Sequence, residues 1–99
     1  MGRYERYTAA PTRDVLRLAE EVLTSRIPLR REGAGHHEIT LAGADGTVTI
    51  SAHRHGLETL VVAETDQLRT SRIDVETQYF LNELPYQPGN EIYQPGDAR

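Results

Sequence analysis

The stretch His37–Thr65, HEITLAGADGTVTISAHRHGLETLVVAET, decides the fold. Its apolar residues recur at every second position, the period of a strand with one buried face. Ile39 and Leu41 alternate with Glu38, Thr40 and Ala42. Val48, Ile50 and Ala52 alternate with Thr47, Thr49, Ser51 and His53, and a third run, Leu57 to Thr65, centres on Leu60-Val61-Val62. Asp45-Gly46 separates the first two runs. Asp-Gly is a strong hairpin signal because both central residues of a type I′ turn need positive φ. His55-Gly56 offers a second two-residue turn. These turns pair Leu41 with Ile50 and Ile39 with Ala52, then Ile50 with Val61 and Ala52 with Thr59. The apolar side chains then share one face of a three-stranded antiparallel meander, and a one-residue slip would send them to solvent. A four-residue loop over Gly43–Gly46 would keep that face and shift the rows.

Outward from the meander the period changes to 3.6. Val15, Leu18, Ala19, Val22, Leu23 and Ile27 form one apolar stripe, with Arg13, Arg17, Glu20 and Glu21 on the other side. Thr12 is the expected N-cap, Asp14 suits the first turn, and Pro28 stops the helix near Ser25 or Arg26. On the far side, Ile73, Thr77, Phe80, Leu81 and Leu84 lie on one helical face that Pro85 closes. Ser71 and Asp74 have the spacing of a capping box. The expected fold class is α+β: a two-layer α-β-β-β-α chain whose three-stranded antiparallel meander is covered on one face by two helices. The whole chain, 1–99, reads as a single domain. Residues 1–11 are an N-terminal arm, 12–84 the core and 85–99 a Pro/Gly-rich C-terminal tail. Gly33-Ala34-Gly35 reads as a connector. In the tail, Tyr86-Gln87-Pro88-Gly89 recurs as Tyr93-Gln94-Pro95-Gly96, which suits a strap anchored by Tyr86, Ile92 and Tyr93, a mobile tail, or a peptide that docks into a partner.

Composition removes several chemistries. The 99 residues include no cysteine, so disulfides, thiolate ligands and cysteine nucleophiles are absent together. No apolar run of membrane-spanning length exists, and no basic start leads into an apolar segment. The net charge of -4 disfavours attraction to nucleic acid or an anionic membrane. All eleven basic residues are Arg, a pattern that codon bias in a GC-rich genome explains. No Gly-x-Ser-x-Gly elbow and no phosphate-binding Gly-rich loop before a helix is present. The expected setting is the cytoplasm.

Two groups of residues remain as candidates. His53-Arg54-His55 puts two imidazoles on one strand face, and the expected register flanks His53 with Glu38 and Glu58. A Glu38–His53–Glu58 row, with His55 beside it, could hold a divalent metal or move a proton. The same row would also serve as ordinary cross-strand pairs, worth about 0.2–1 kcal/mol each. Apart from that possible divalent metal, no cofactor is expected. The second group is Leu60, Val62, Thr49 and Ser51. They point away from the helices and form a mildly polar patch that a protein partner, a second copy, the tail or the N-terminal arm would cover, or that stays exposed as ordinary surface. The leading expectation is therefore a non-enzymatic interaction domain that self-associates through its sheet. The helix–three strands–helix order resembles double-stranded-RNA-binding domains and the first part of type III secretion chaperones, in element order only. RNA binding would need phosphate contacts at the start of the second helix. That segment, Thr70-Ser71-Arg72-Ile73-Asp74-Val75-Glu76, carries one Arg and two acids.

Overall fold

In the computed structural model, which describes residues 2–85, the chain runs β1 (Arg3–Thr8), α1 (Thr12–Arg26), β2 (Arg30–Ala34), β3 (Glu38–Gly43), β4 (Gly46–His55), β5 (Glu58–Thr65) and α2 (Arg72–Asn82). The strands form one antiparallel sheet in the order β1-β5-β4-β3-β2. The class is α+β, and the meander β3-β4-β5 is its centre. Two edge strands extend it beyond the expected three. β1 lies in the expected arm and pairs with β5 from Arg3↔Glu64 to Thr8↔Thr59. β2 takes up part of the expected Gly33–Gly35 connector and pairs with β3 through a bulge between Arg31 and Gly33. The resemblance in element order noted above therefore does not extend to these two strands. The reading of the tail from Tyr86 onward lies outside the described residues.

Both hairpins turn one residue away from the expected position. Ala44-Asp45 forms the first turn, so Ile39 pairs with Ile50 and Leu41 with Val48. A type I′ turn at Asp45-Gly46 would require positive φ at Asp45, and among the described residues none but glycine has it. Gly46 alone takes the unusual angle, φ 127°. The second turn is Gly56-Leu57, with Gly56 at φ 66° in the first central position, as a type II′ turn asks. Ile50 then pairs with Ala63 and Ala52 with Val61. Each register differs from the expected one by two residues, an even shift. The buried face is unchanged while every row moves.

α1 and α2 share one side of the sheet. Val15, Ala19 and Leu23 of α1 meet Ile39, Leu41, Val48 and Ile50, and all are buried. α2 adds Ile73, Phe80 and Leu81, with Phe80 wholly enclosed. Each fully buried Val, Leu, Ile or Phe contributes about 1.5–3 kcal/mol of transfer free energy. Pro11 holds the N-cap position of α1 without a side-chain cap, and Thr12 is its first residue. α2 begins as expected: the Ser71 hydroxyl accepts the Asp74 N–H at 3.2 Å. No helix among the described residues is long and apolar enough to cross a membrane.

Candidate functional site

Among the described residues, no helix covers the second face of the sheet. By register its rows run Thr40–Thr49–Glu64–Arg3, Glu38–Ser51–Val62–Glu5 and His53–Leu60–Tyr7. Thr49, Ser51, Leu60 and Val62 sit together at the centre, on the middle strand and its neighbour, and all four are half-buried. The charged residues Arg3, Glu5, Glu38 and Glu64 surround them and are exposed. The hydroxyls within the patch already have partners. Thr40 Oγ1 and Thr49 Oγ1 share a hydrogen bond at 3.2 Å, and the Ser51 hydroxyl donates to the Val62 carbonyl at 3.5 Å. The four candidate interface residues are thus one contiguous surface whose polar atoms need little from water.

The candidate metal residues are distributed differently. Glu38 stands opposite Ser51, His53 opposite Leu60, and His55 opposite Glu58 across the β4–β5 turn. The expected Glu38–His53–Glu58 row is therefore not formed, because the two-residue register shift slides each carboxylate past His53. The His53 ring stacks instead on His37, with centroids 5.0 Å apart and planes 25° from parallel. His55 meets the edge of Tyr7 at 6.4 Å. Among the described residues, no group of three or more His, Cys, Asp or Glu side chains is placed to hold a metal ion.

One buried charge escaped the sequence reading except as a helix cap. Asp74 is fully enclosed, yet three hydroxyls donate to its carboxylate: Tyr4 at 2.6 Å, Ser71 at 2.7 Å and Thr65 at 2.8 Å. The cluster joins β1, β5 and α2 through side chains. Burial pushes the Tyr4 phenol above its ordinary 10.0, and the hydrogen bond and negative charge of Asp74 push the same way. The Arg69 guanidinium, 4.9 Å from the ring centre, acts in the opposite sense. These groups face the interior and tie elements together.

No family model matches this chain, and neither the curated proteins nor the solved structures provide a match.

Proposed function

We propose that this chain is a small cytoplasmic interaction domain that pairs with a second copy of itself through the uncovered face of its sheet. The carrying observation is the half-buried, uncharged centre formed by Thr49, Ser51, Leu60 and Val62, framed by exposed charges. An apolar or neutral core within a polar rim is the usual anatomy of a protein interface. Burying the patch costs little, since its hydroxyls are already hydrogen-bonded within the sheet. Size also suits a dimer. Five strands at about 4.8 Å spacing, with a mean length of about seven residues, project roughly 550 Å². That approaches the roughly 800 Å² per partner of a stable interface.

The sheet edges are poorer routes. β2 is short, bulged and exposed along its whole length. For β1, continuation about a twofold axis normal to the sheet must set residues of the same face opposite each other. The two central registers then oppose Glu5 with Glu5 or Arg6 with Arg6, and like charges directly opposite are destabilising. Face-to-face packing of two sheets has no such conflict at its centre.

Light scattering on size-exclusion fractions at micromolar concentration tests the reading. A dimer is expected, and the double substitution Leu60→Glu/Val62→Glu should convert it to a monomer with unchanged circular dichroism. A wild-type chain that stays monomeric up to about 100 μM would overturn it.

A further inference from the structure

The chain has four histidines, and the fold brings all of them to one end of the sheet. His36 and His37 fill the two-residue turn between β2 and β3, which the Gly35 N–H closes by donating to the Glu38 carbonyl at 2.8 Å. His53 and His55 belong to the last three residues of β4. The Ala52 N–H donates to the His37 carbonyl at 2.8 Å and so ties the turn to β4, one residue before His53. This fixes the backbone on both sides of the His37–His53 ring pair, whose centres are 5.0 Å apart. The other two imidazoles stand farther off. The ring of His36 is centred 6.5 Å from that of His37, and His55 meets Tyr7. The arrangement is therefore a pair, in keeping with the lack of a three-ligand group among the described residues.

The separation of the pair suits a shared metal ion. Zinc–imidazole bonds of about 2.0–2.1 Å put the centres of two rings on one tetrahedral ion roughly 5 Å apart. The planes, 25° from parallel, must turn so that one nitrogen of each ring aims at that ion. Turning about the Cβ–Cγ bond leaves the ring centre in place, and this torsion is soft in histidine. Both residues are exposed, and among the described residues no hydrogen bond or ion pair holds their ring nitrogens.

We propose that His37 and His53 bind a divalent transition-metal ion of the zinc or nickel kind, with water completing its coordination. Imidazole suits these ions, whereas magnesium and calcium prefer oxygen ligands. The ligands come from the β2–β3 turn and from β4, and both belong to one copy of the chain. The site thus needs no pairing of copies.

Calorimetric titration with zinc chloride tests the proposal, at about pH 7.5 because metals bind imidazole in its neutral form. One ion per chain should bind. His37→Gln and His53→Gln should each weaken zinc at least about tenfold, and His36→Gln and His55→Gln should change it by less than about twofold. Equimolar nickel, which is paramagnetic, should broaden the amide signals of His37, Glu38 and His53 in ¹H–¹⁵N spectra, and magnesium should leave them sharp. The absence of saturable heat up to about 1 mM zinc would overturn the proposal. So would equal losses in all four variants, which would mean a diffuse histidine-rich surface. The Leu60→Glu/Val62→Glu chain should bind zinc as the wild type does, and loss of binding there would overturn a site built within one copy. A monomeric wild type that binds zinc would sink the dimer reading alone, and a dimer that takes up no zinc would sink the metal site alone.

Discussion

Asp74 shows how much a single residue can organise in a chain this small. A fully buried carboxylate is costly unless its oxygens are satisfied, and here three hydroxyls from β1, β5 and the cap of α2 satisfy them. Removing the acceptor takes a partner from all three, although the Thr65 hydroxyl keeps the Gln67 carbonyl at 3.3 Å. Asp74→Ala should therefore cost about 3 kcal/mol, measured as a lowered urea midpoint with an unchanged slope. Tyr4→Phe removes one donor and leaves Asp74 two others, so its cost should be nearer about 1.5 kcal/mol. If Asp74→Ala proves neutral, the cluster does not tie the edge strand to the helix. The sequence exposed only part of this arrangement. Ser71 and Asp74 were recognisable as a cap from their spacing. Tyr4 sits 70 residues from Asp74 along the chain, and no local pattern announces such a contact.

At the level of elements, what could be read was whatever carries its own period. α1, α2 and the three central strands each present an apolar stripe, and each forms. The edge strands present none. β1 reads RYERYT, in which Arg6 and Thr8 share the inner side with Tyr4, and β2 reads RREGA with every residue exposed. Such strands exist because a neighbour offers hydrogen bonds, which is a property of the sheet and not of the segment. The candidate metal row was lost for a related reason. Turn position sets register: the first turn lies one residue earlier, avoiding positive φ at Asp45, and the second lies one residue later, putting positive φ on Gly56, so Glu38 and Glu58 slide past His53. The turns give a sharp contrast between two glycines. A methyl group at Gly46 would stand 2.6 Å from Gln67 Cγ and 2.9 Å from Asp66 Oδ1, at φ 127°. At Gly56, φ is 66° and nothing lies within 4 Å. Gly46→Ala should cost more than about 2 kcal/mol, whereas Gly56→Asn, a residue that tolerates left-handed geometry, should cost less than about 1 kcal/mol. Thermal melts of the two variants decide this, and equal losses would contradict it. Asp66 also clamps the sheet here, accepting the Thr47 N–H at 2.9 Å. That hydrogen bond holds its carboxyl below the ordinary 3.8. A depressed folded value means the unfolded chain binds the proton more readily, so the contribution is complete above about pH 4 and lost as pH falls through the folded value. Asp66→Asn should flatten the acid side of a stability–pH profile and leave neutral-pH curvature unchanged. An identical acid limb in the variant would show that the clamp does not contribute.

At the scale of the whole fold, one layer of helices and one sheet of five strands leave one side of the sheet open among the described residues, and this asymmetry carries the largest consequence. If that side pairs with its copy, folding and association are linked, because dimer formation stabilises only the folded chain. Unfolding of a dimer to two free chains then depends on protein concentration. Each tenfold increase adds about 1.4 kcal/mol per dimer, or about 0.7 kcal/mol per chain. In a domain of this size, 1 kcal/mol moves the melting temperature by about 4–8 °C. Calorimetric scans at about 5, 50 and 500 μM should therefore show Tm rising by about 3–5 °C per decade. The Leu60→Glu/Val62→Glu chain should lose that dependence altogether. Its own Tm should match the wild-type value extrapolated to low concentration, because both side chains are only half-buried within one copy and do not belong to the core cluster. A flat wild-type Tm would mean that the open face stays wet. A variant that melts well below the extrapolated value would mean that Leu60 and Val62 hold the single copy together instead of joining two.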